Sequence, residues 1–501
     1  MSFSSVSFFV FMIAVFLIYW GIPHKFRYIL LICANLIFYS SFGVEYLPVI
    51  LAEVLVAYIA GRLIGRRKSA SCFVISIVLI VLPLVVFKYL DFSIYTINKF
   101  FGIISVPVNV NTLKLIAPIG ISFYTFELIS YVADVYNGKA EAENNILRLF
   151  VFASFFPNIT SGPIERAGSF FVNLDNEKAF DYSRAVIGLR LVLLGMIKKI
   201  CGANVLKQYA DAVFGNVYAY RGPVLIVAII LYTYEIYLDF SGYTDMARGF
   251  ATMLGFDLCE NFKAPYMSSS IKDFFARWHI SLSQWLRDYI YIPLGGSRCS
   301  KIRKYFNLMV TFLVSGIWHG ASFTFIVWGF LHGIYQVGAS VISDIKSKSR
   351  KTDDNATKGN TYMQNNVIKR AIYTIFTFAL VAYAWMFFRA NSLSDAKYIT
   401  MNMFRGDNFY GHMLQMGFLK VSDYVSVILV IGLTIAYDIY LEIFSNKSKA
   451  TQKTASTTDI AERMSQLNAP TRWILYIVFG VLVVVLRSHV GAGADFIYFK
   501  F

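Results

Sequence analysis

Apolar runs long enough to cross a bilayer recur from end to end of this chain, separated by short polar segments. The first four cover residues 7–20, 28–42, 47–60 and 73–87. Basic and nearly neutral connections alternate between them. The rule that positive loops stay inside puts the N-terminus outside and the loops at 24–27 and 62–68 in the cytoplasm. The stretch 88–113 is mixed and is expected outside or at the interface. Residues 115–135 form the next unit, and Pro118 and Gly120 predict a broken or kinked start. The run 147–156 is short and is followed by Pro157, Gly162 and Pro163, which suits a re-entrant helix better than a straight crossing.

Further helices are expected at 185–200 and 224–238. The second runs into Asp239 and Asp245, read either as an interfacial loop capping a helix at 246–254 or as site-lining carboxylates. Residues 271–291 place Phe274, Trp278, Leu282, Trp285 and Tyr289 on one helical face, opposite Lys272, Asp273, Ser283 and Arg287. That pattern predicts an amphipathic helix along an interface. Apolar runs at 306–318, 322–340, 371–388, 421–444 and 473–486 complete the set. Segments 344–370 and 445–471 are read as polar cytoplasmic loops. The fold class is therefore an all-α polytopic membrane protein with about a dozen membrane-embedded segments. The whole chain, 1–501, reads as a single membrane domain.

Composition sharpens this picture. The chain is 57% hydrophobic and 15% charged, against about 25% charged in soluble domains. Its net charge of +16 sits in loops between apolar runs, so topology explains it and nucleic-acid binding does not. The N-terminal apolar run has no basic region before it and no cleavage-type site after it, so it reads as a first span. Five scattered cysteines, none in a C-x-x-C pair, argue against a disulfide framework or a structural zinc site. H-E-x-x-H, G-x-S-x-G and phosphate-loop patterns are all absent, so no metal is expected.

Candidate chemistry concentrates between residues 270 and 333, which hold three of six histidines and four of seven tryptophans. His319 lies in an apolar stretch with no charge within a helical turn. Intramembrane ionisable residues are functional candidates by default. An imidazole without metal can do acid–base work, or can simply hydrogen-bond a neighbouring carbonyl. Gly316 and Gly320 beside it would admit another backbone or an elongated ligand. His279 borders the apolar stripe of 271–291 and reads as a cap or an interface residue. His332 reads as scaffold.

Several blocks carry a family resemblance: PIGISFYTFELISYVADVY, FFPNITSGPIER, YLDFSGYTDMA, RWHISLSQWLRDYIYIPLGGSR, SGIWHGASFTFIVWGFLHG and WMFFRA. With the terminal FIYFKF they cover the chain from Pro118 onward. The sequence resembles the membrane-bound O-acyltransferase family, and within it the bacterial branch similar to alginate O-acetyltransferases. The resemblance implies helices around a central tunnel. It implies a catalytic role for His319, in the WHG block, and a supporting role for His279, in the RWHIS block. Trp278 and Trp318, beside those histidines, and Asp288, later in the RWHIS block, become the substrate-binding candidates.

The implied reaction transfers an acetyl group from a cytoplasmic thioester, acetyl-CoA, for O-acetylation of an exported or cell-wall polysaccharide. No bound cofactor is expected. The implied partners are an extracytoplasmic acyl-transfer protein, the polysaccharide acceptor and the lipid bilayer of a bacterial inner membrane. A second reading, D-alanyl transfer to teichoic acid, uses the same fold. A third is a transporter or flippase without chemistry. It would need charges along facing spans and an internal repeat, and neither is apparent.

Overall fold

The computed structural model describes residues 1–106, 110–350, 367–406, 408–449 and 457–490. Among them there are helices and no strand, only one isolated bridge between Phe262 and Trp278. Six helices are long and apolar enough to cross a membrane, with α1 a shorter apolar one. The described residues form two compact units. One comprises Met1–Leu193 and Tyr243–Cys259; the other comprises Leu194–Gly242 and the chain from Glu260.

The first unit begins with α1 (Val6–Gly21), capped by Ser5, whose hydroxyl accepts from the Phe8 amide at 3.2 Å. It continues through α2 (His24–Ser40), α3 (Leu47–Arg66) and α4 (Ala70–Leu84). Pro83 lies inside α4 and a π-type turn, Val85–Tyr89, follows. Proline removes a backbone donor, and the wider turn absorbs the defect. The helix is not ended by it: α5 (Leu90–Ile103) carries on, and Ala70–Ile103 is one spanning run. The mixed segment expected from residue 88 is thus helical as far as Ile103.

Gly120 adopts φ 72°, and α6 (Ile121–Tyr136) starts directly after it, as the Pro118–Gly120 pair predicts. After α7 (Ile146–Ser154), residues 155–165 are irregular yet buried. Their polar groups are held internally. Glu127 of α6 accepts from Asn158 Nδ2 and from the Glu165 amide, each at 3.1 Å. Non-helical backbone at membrane depth needs such partners. Two further helices, α8 (Ala167–Asp175) and α9 (Tyr182–Met196), complete this stretch.

The second unit holds α10 (Asn204–Gly215), most of α11 (Pro223–Met253), α12 (Ile271–Phe275), α13 (Ile280–Leu286), α14 (Lys301–His319) and α15 (Phe323–Arg350). Later come α16 (Val367–Arg389), α17 (Leu393–Asn402), α18 (Phe409–Gln415), α19 (Val421–Lys449), α20 (Thr457–Arg463) and α21 (Ala469–Val490). Helix α11 runs unbroken through Asp239 and Asp245, which overturns the capping-loop reading there. These two aspartates face basic side chains. Lys199 bridges Asp239 with both side chains buried, and Arg248 lies 3.8 Å from Asp245. Helices α15 and α16 extend into segment 344–370, and α19, α20 and α21 all reach into 445–471, so neither is wholly loop; residues 351–366 and 450–456, with the terminal FIYFKF, lie outside the described residues.

A histidine-lined candidate active site

The amphipathic helix expected over 271–291 is broken. Helix α12 stops at Phe275, and α13 starts only at Ile280. Between them His279 sits in the left-handed region at φ 42°, ψ 58°. A non-glycine residue held there costs about 1–3 kcal/mol and persists only where its surroundings impose it. They do so here. The Lys263 amide donates to the Arg277 carbonyl at 3.0 Å, and the Ile280 amide donates to the Asn261 carbonyl at 3.1 Å. The Ser281 amide donates to Asn261 Oδ1 at 3.1 Å. The bend is also tied from its polar side. Arg277 Nε donates to Asp273 at 2.9 Å, and its guanidinium bonds Glu442 of α19, which Arg370 engages as well.

The bend buries what an unbroken interfacial helix would have left half exposed. Trp278 is 3% and His279 1% exposed. Trp278 packs against Phe262, Phe274 and Trp385, and the ring of Phe240 meets His279 edge-on at 4.8 Å. Burial pushes the His279 imidazole down to about 3, so it is neutral at physiological pH.

His319 ends α14. That helix and α15 cross with their backbones in contact. A Cβ on Gly316 would meet the Phe325 carbonyl oxygen at 2.4 Å, and one on Gly329 the Phe312 carbonyl oxygen at 2.5 Å. The glycine expected to admit a neighbouring backbone therefore does so, and the backbone is that of α15. The His319 ring is 4% exposed within Trp318, Trp328 and Phe388, with centroids at 4.9, 4.9 and 5.1 Å.

A cleft of about 640 Å³ joins these residues. Its buried end is lined by His279, His319, Trp278 and Trp328, and its outer end by Lys272, Arg287, Lys304 and Asp344. Along α14 the lining residues are Lys304, Leu308, Thr311, Phe312, Ser315 and His319, one helical face over about 22 Å at 1.5 Å per residue. Gln336, Ala339, Ser340 and Ser343 of α15 line it too. At the outer end Lys304 Nζ pairs with Asp344 Oδ2 at 2.7 Å, and the Tyr305 hydroxyl donates to the same oxygen at 2.9 Å.

The structure thus brings His279, His319 and Trp278 to one cleft. Trp318 is not part of its lining; it packs behind, 6.1 Å from the His279 ring. Asp288 is also outside the lining and accepts from Arg287 Nε at 2.9 Å. The π-type turn Arg287–Tyr291 turns Arg287, not Asp288, toward the cleft. His332 is fully buried, with rings of Trp328 at 4.7 Å and Phe275 at 5.0 Å. Neither of its ring nitrogens has a hydrogen-bond partner among the described residues, and it lies outside the cleft lining. No group of three or more His, Cys, Asp or Glu residues among the described residues could hold a metal ion.

The described residues thus hold a mostly apolar cleft that ends on two buried histidines. Residues 142–385 match the membrane-bound O-acyltransferase (MBOAT) family. The probable alginate O-acetylase AlgI of Pseudomonas putida is 33% identical over 519 residues, covering all of both chains. The peptidoglycan O-acetyltransferase of Helicobacter pylori is 30% identical over 403 residues, covering 74% of this chain and 73% of its own. The teichoic acid D-alanyltransferase of Bacillus subtilis is 30% identical over 298 residues, covering 56% of this chain and 71% of its own. The chain belongs to the membrane-bound O-acyltransferase family and is a multi-pass O-acyltransferase. A transporter without chemistry is thereby set aside.

Proposed function

We propose that this enzyme takes an acetyl group from a pantetheine thioester, acetyl-CoA, and transfers it for O-acetylation of an exported or cell-wall polysaccharide, with His319 as general base. The observation that carries the reading is the stripe from Lys304 to His319. It is about 22 Å long, on the scale of an extended pantetheine arm. The stripe's mouth carries Lys272, Arg287 and Lys304 against the carboxylate of Asp344, and midway Thr311 and Ser315 offer hydroxyls among Leu308 and Phe312. The stripe is aromatic where the acetyl group would arrive. The names of the Pseudomonas and Helicobacter relatives support an acetyl donor and a glycan acceptor.

The step balances without metal. The acceptor hydroxyl oxygen bonds the thioester carbonyl carbon as its proton passes to a neutral imidazole nitrogen of His319. The carbon–sulfur bond then breaks, and the thiolate takes that proton back. Trp278, Trp328 and Phe388 exclude water, which limits hydrolysis of the thioester. His279 positions groups at the same end of the cleft as a neutral hydrogen-bonding partner.

An extracytoplasmic acyl-transfer protein as immediate acceptor, and a bacterial inner membrane as location, complete the proposal. The Bacillus relative supports a second reading, D-alanyl transfer to teichoic acid, for which a carrier-protein thioester would be the donor. The test uses the full chain in proteoliposomes supplied with radiolabelled acetyl-CoA or with D-alanyl carrier protein. Label transferred from acetyl-CoA and lost with His319→Ala supports the proposal. Transfer from the carrier alone would replace it with the second reading.

A further inference from the structure

A second cavity, of about 660 Å³, lies away from the histidine cleft and wholly within the first unit. The end of α3 and the turn after α6 form it. Arg62, Arg66 and Lys68 line one side, and Asn137, Gly138, Lys139 and Glu141 the other. None of the four cations makes an ion pair with a described residue, and Glu141 is the one carboxylate in the lining. Two helix C-termini add about half a negative charge each. Together with Glu141 that is about two negative charges against four positive, so the cavity is short of anions.

The site is also shaped. Lys68 Nζ is held 4.7 Å over the Tyr136 ring, which itself stacks on Phe73 at 4.6 Å. Gly138 takes φ 70°, and the turn closes through the Lys139 amide donating to the Asp134 carbonyl at 2.8 Å. A cluster that served only to orient the chain in the bilayer would need charge and no cavity.

What leads to this cavity names its occupant. Leu51, Leu55, Ile59 and Leu63 form one exposed stripe along α3, each 46–50% exposed, that ends beside Arg62 and Arg66. An amphiphile can lay its chains on that stripe with its anionic head in the cavity. Basic pockets between spanning helices are known binders of phosphate headgroups.

We propose that the cavity between α3 and the α6–α7 turn binds the phosphate headgroup of an anionic glycerophospholipid, with its acyl chains along the Leu51–Leu63 stripe. The site is separate from the acyl-transfer cleft and does not depend on the donor assignment.

The full-length protein in detergent is given equal dioleoylphosphatidylglycerol and dioleoylphosphatidylcholine, and bound lipid is read by native mass spectrometry. The wild type should retain phosphatidylglycerol selectively. The variant Arg62→Gln/Arg66→Gln/Lys68→Gln/Lys139→Gln should lose it by about fivefold for each cation removed. Arg62→Lys/Arg66→Lys, which keeps the charge, should retain it and shows that the fold survives change at these positions. Equal retention of the two lipids, or an unchanged adduct in the glutamine variant, would overturn the proposal. Inorganic phosphate that raises the melting temperature and displaces all phosphatidylglycerol would show a soluble-anion site instead, and would also overturn it.

Discussion

The rings of His319 and Trp328 meet edge to face, 4.9 Å between centroids and 86° between planes. The same indole packs 4.7 Å from His332 on its own helix. Trp328 thus forms the wall beside the His319 imidazole, and in the proposed reaction its bulk would keep water from the thioester. Trp328→Ala should lower acetyl transfer and raise acetyl-CoA hydrolysis without acceptor. The partition between the two products, measured by label in acceptor against free acetate, should shift by about tenfold or more toward hydrolysis. Loss of both in parallel would mark the indole as structural only. The truncation itself should cost about 3–5 kcal/mol of stability.

His279 makes a different prediction. Its imidazole is held down to about 3, below its ordinary 6.5. In a group depressed on folding, the stabilisation is complete above the unfolded value and is lost as pH falls toward the folded one. His279 therefore stays neutral from pH 5 to 8 and cannot supply an acid limb there. His279→Gln should reduce kcat while leaving the apparent pKa of the acid limb of kcat/KM where it is. A limb that moves with this substitution would contradict the neutral role.

The left-handed bend at His279 depends on Arg277, which joins Asp273 and Glu442. Arg277→Ala and Glu442→Ala remove the same tie, so the double variant should be little worse than either alone. Each should lower kcat about 10-fold or more, since misplacement by about 1 Å costs up to about 100-fold. Additive losses would show that the two residues act separately.

Midway along the cleft, Ser315 lines the path one turn before His319. Ser315→Leu adds bulk to the path and leaves both histidines intact. It should raise KM for acetyl-CoA at least about tenfold. The protein should still insert and unfold normally. An unchanged KM would place the donor elsewhere.

Much of this was legible in the chain before any coordinates. The apolar runs mark the helices, and Pro118–Gly120 marks the start of α6. The WHG and RWHIS blocks mark two histidines that share one cleft. The break at His279 was hidden because Phe274, Trp278, Leu282 and Trp285 keep helical spacing across it. Their burial is imposed by residues 261–263, which periodicity within one segment cannot register. The continuity of α11 was hidden for a related reason. Asp239 and Asp245 look like loop residues until Lys199 and Arg248 are seen to pair with them. One missed signal was available. Lys304, Leu308, Thr311, Ser315 and His319 fall on one face of α14, and that partly polar stripe through an apolar helix leads from the cleft's outer end to the imidazole.

The central claim is that His319 takes the proton from the acceptor. Its direct measurement is single-turnover acetyl transfer from labelled acetyl-CoA by purified His319→Ala and His319→Gln, each shown to retain wild-type melting behaviour. Loss of a general base costs about 10²–10⁴-fold in rate, and both variants should show it with donor binding preserved. Transfer within a few-fold of wild type in either folded variant would contradict the account.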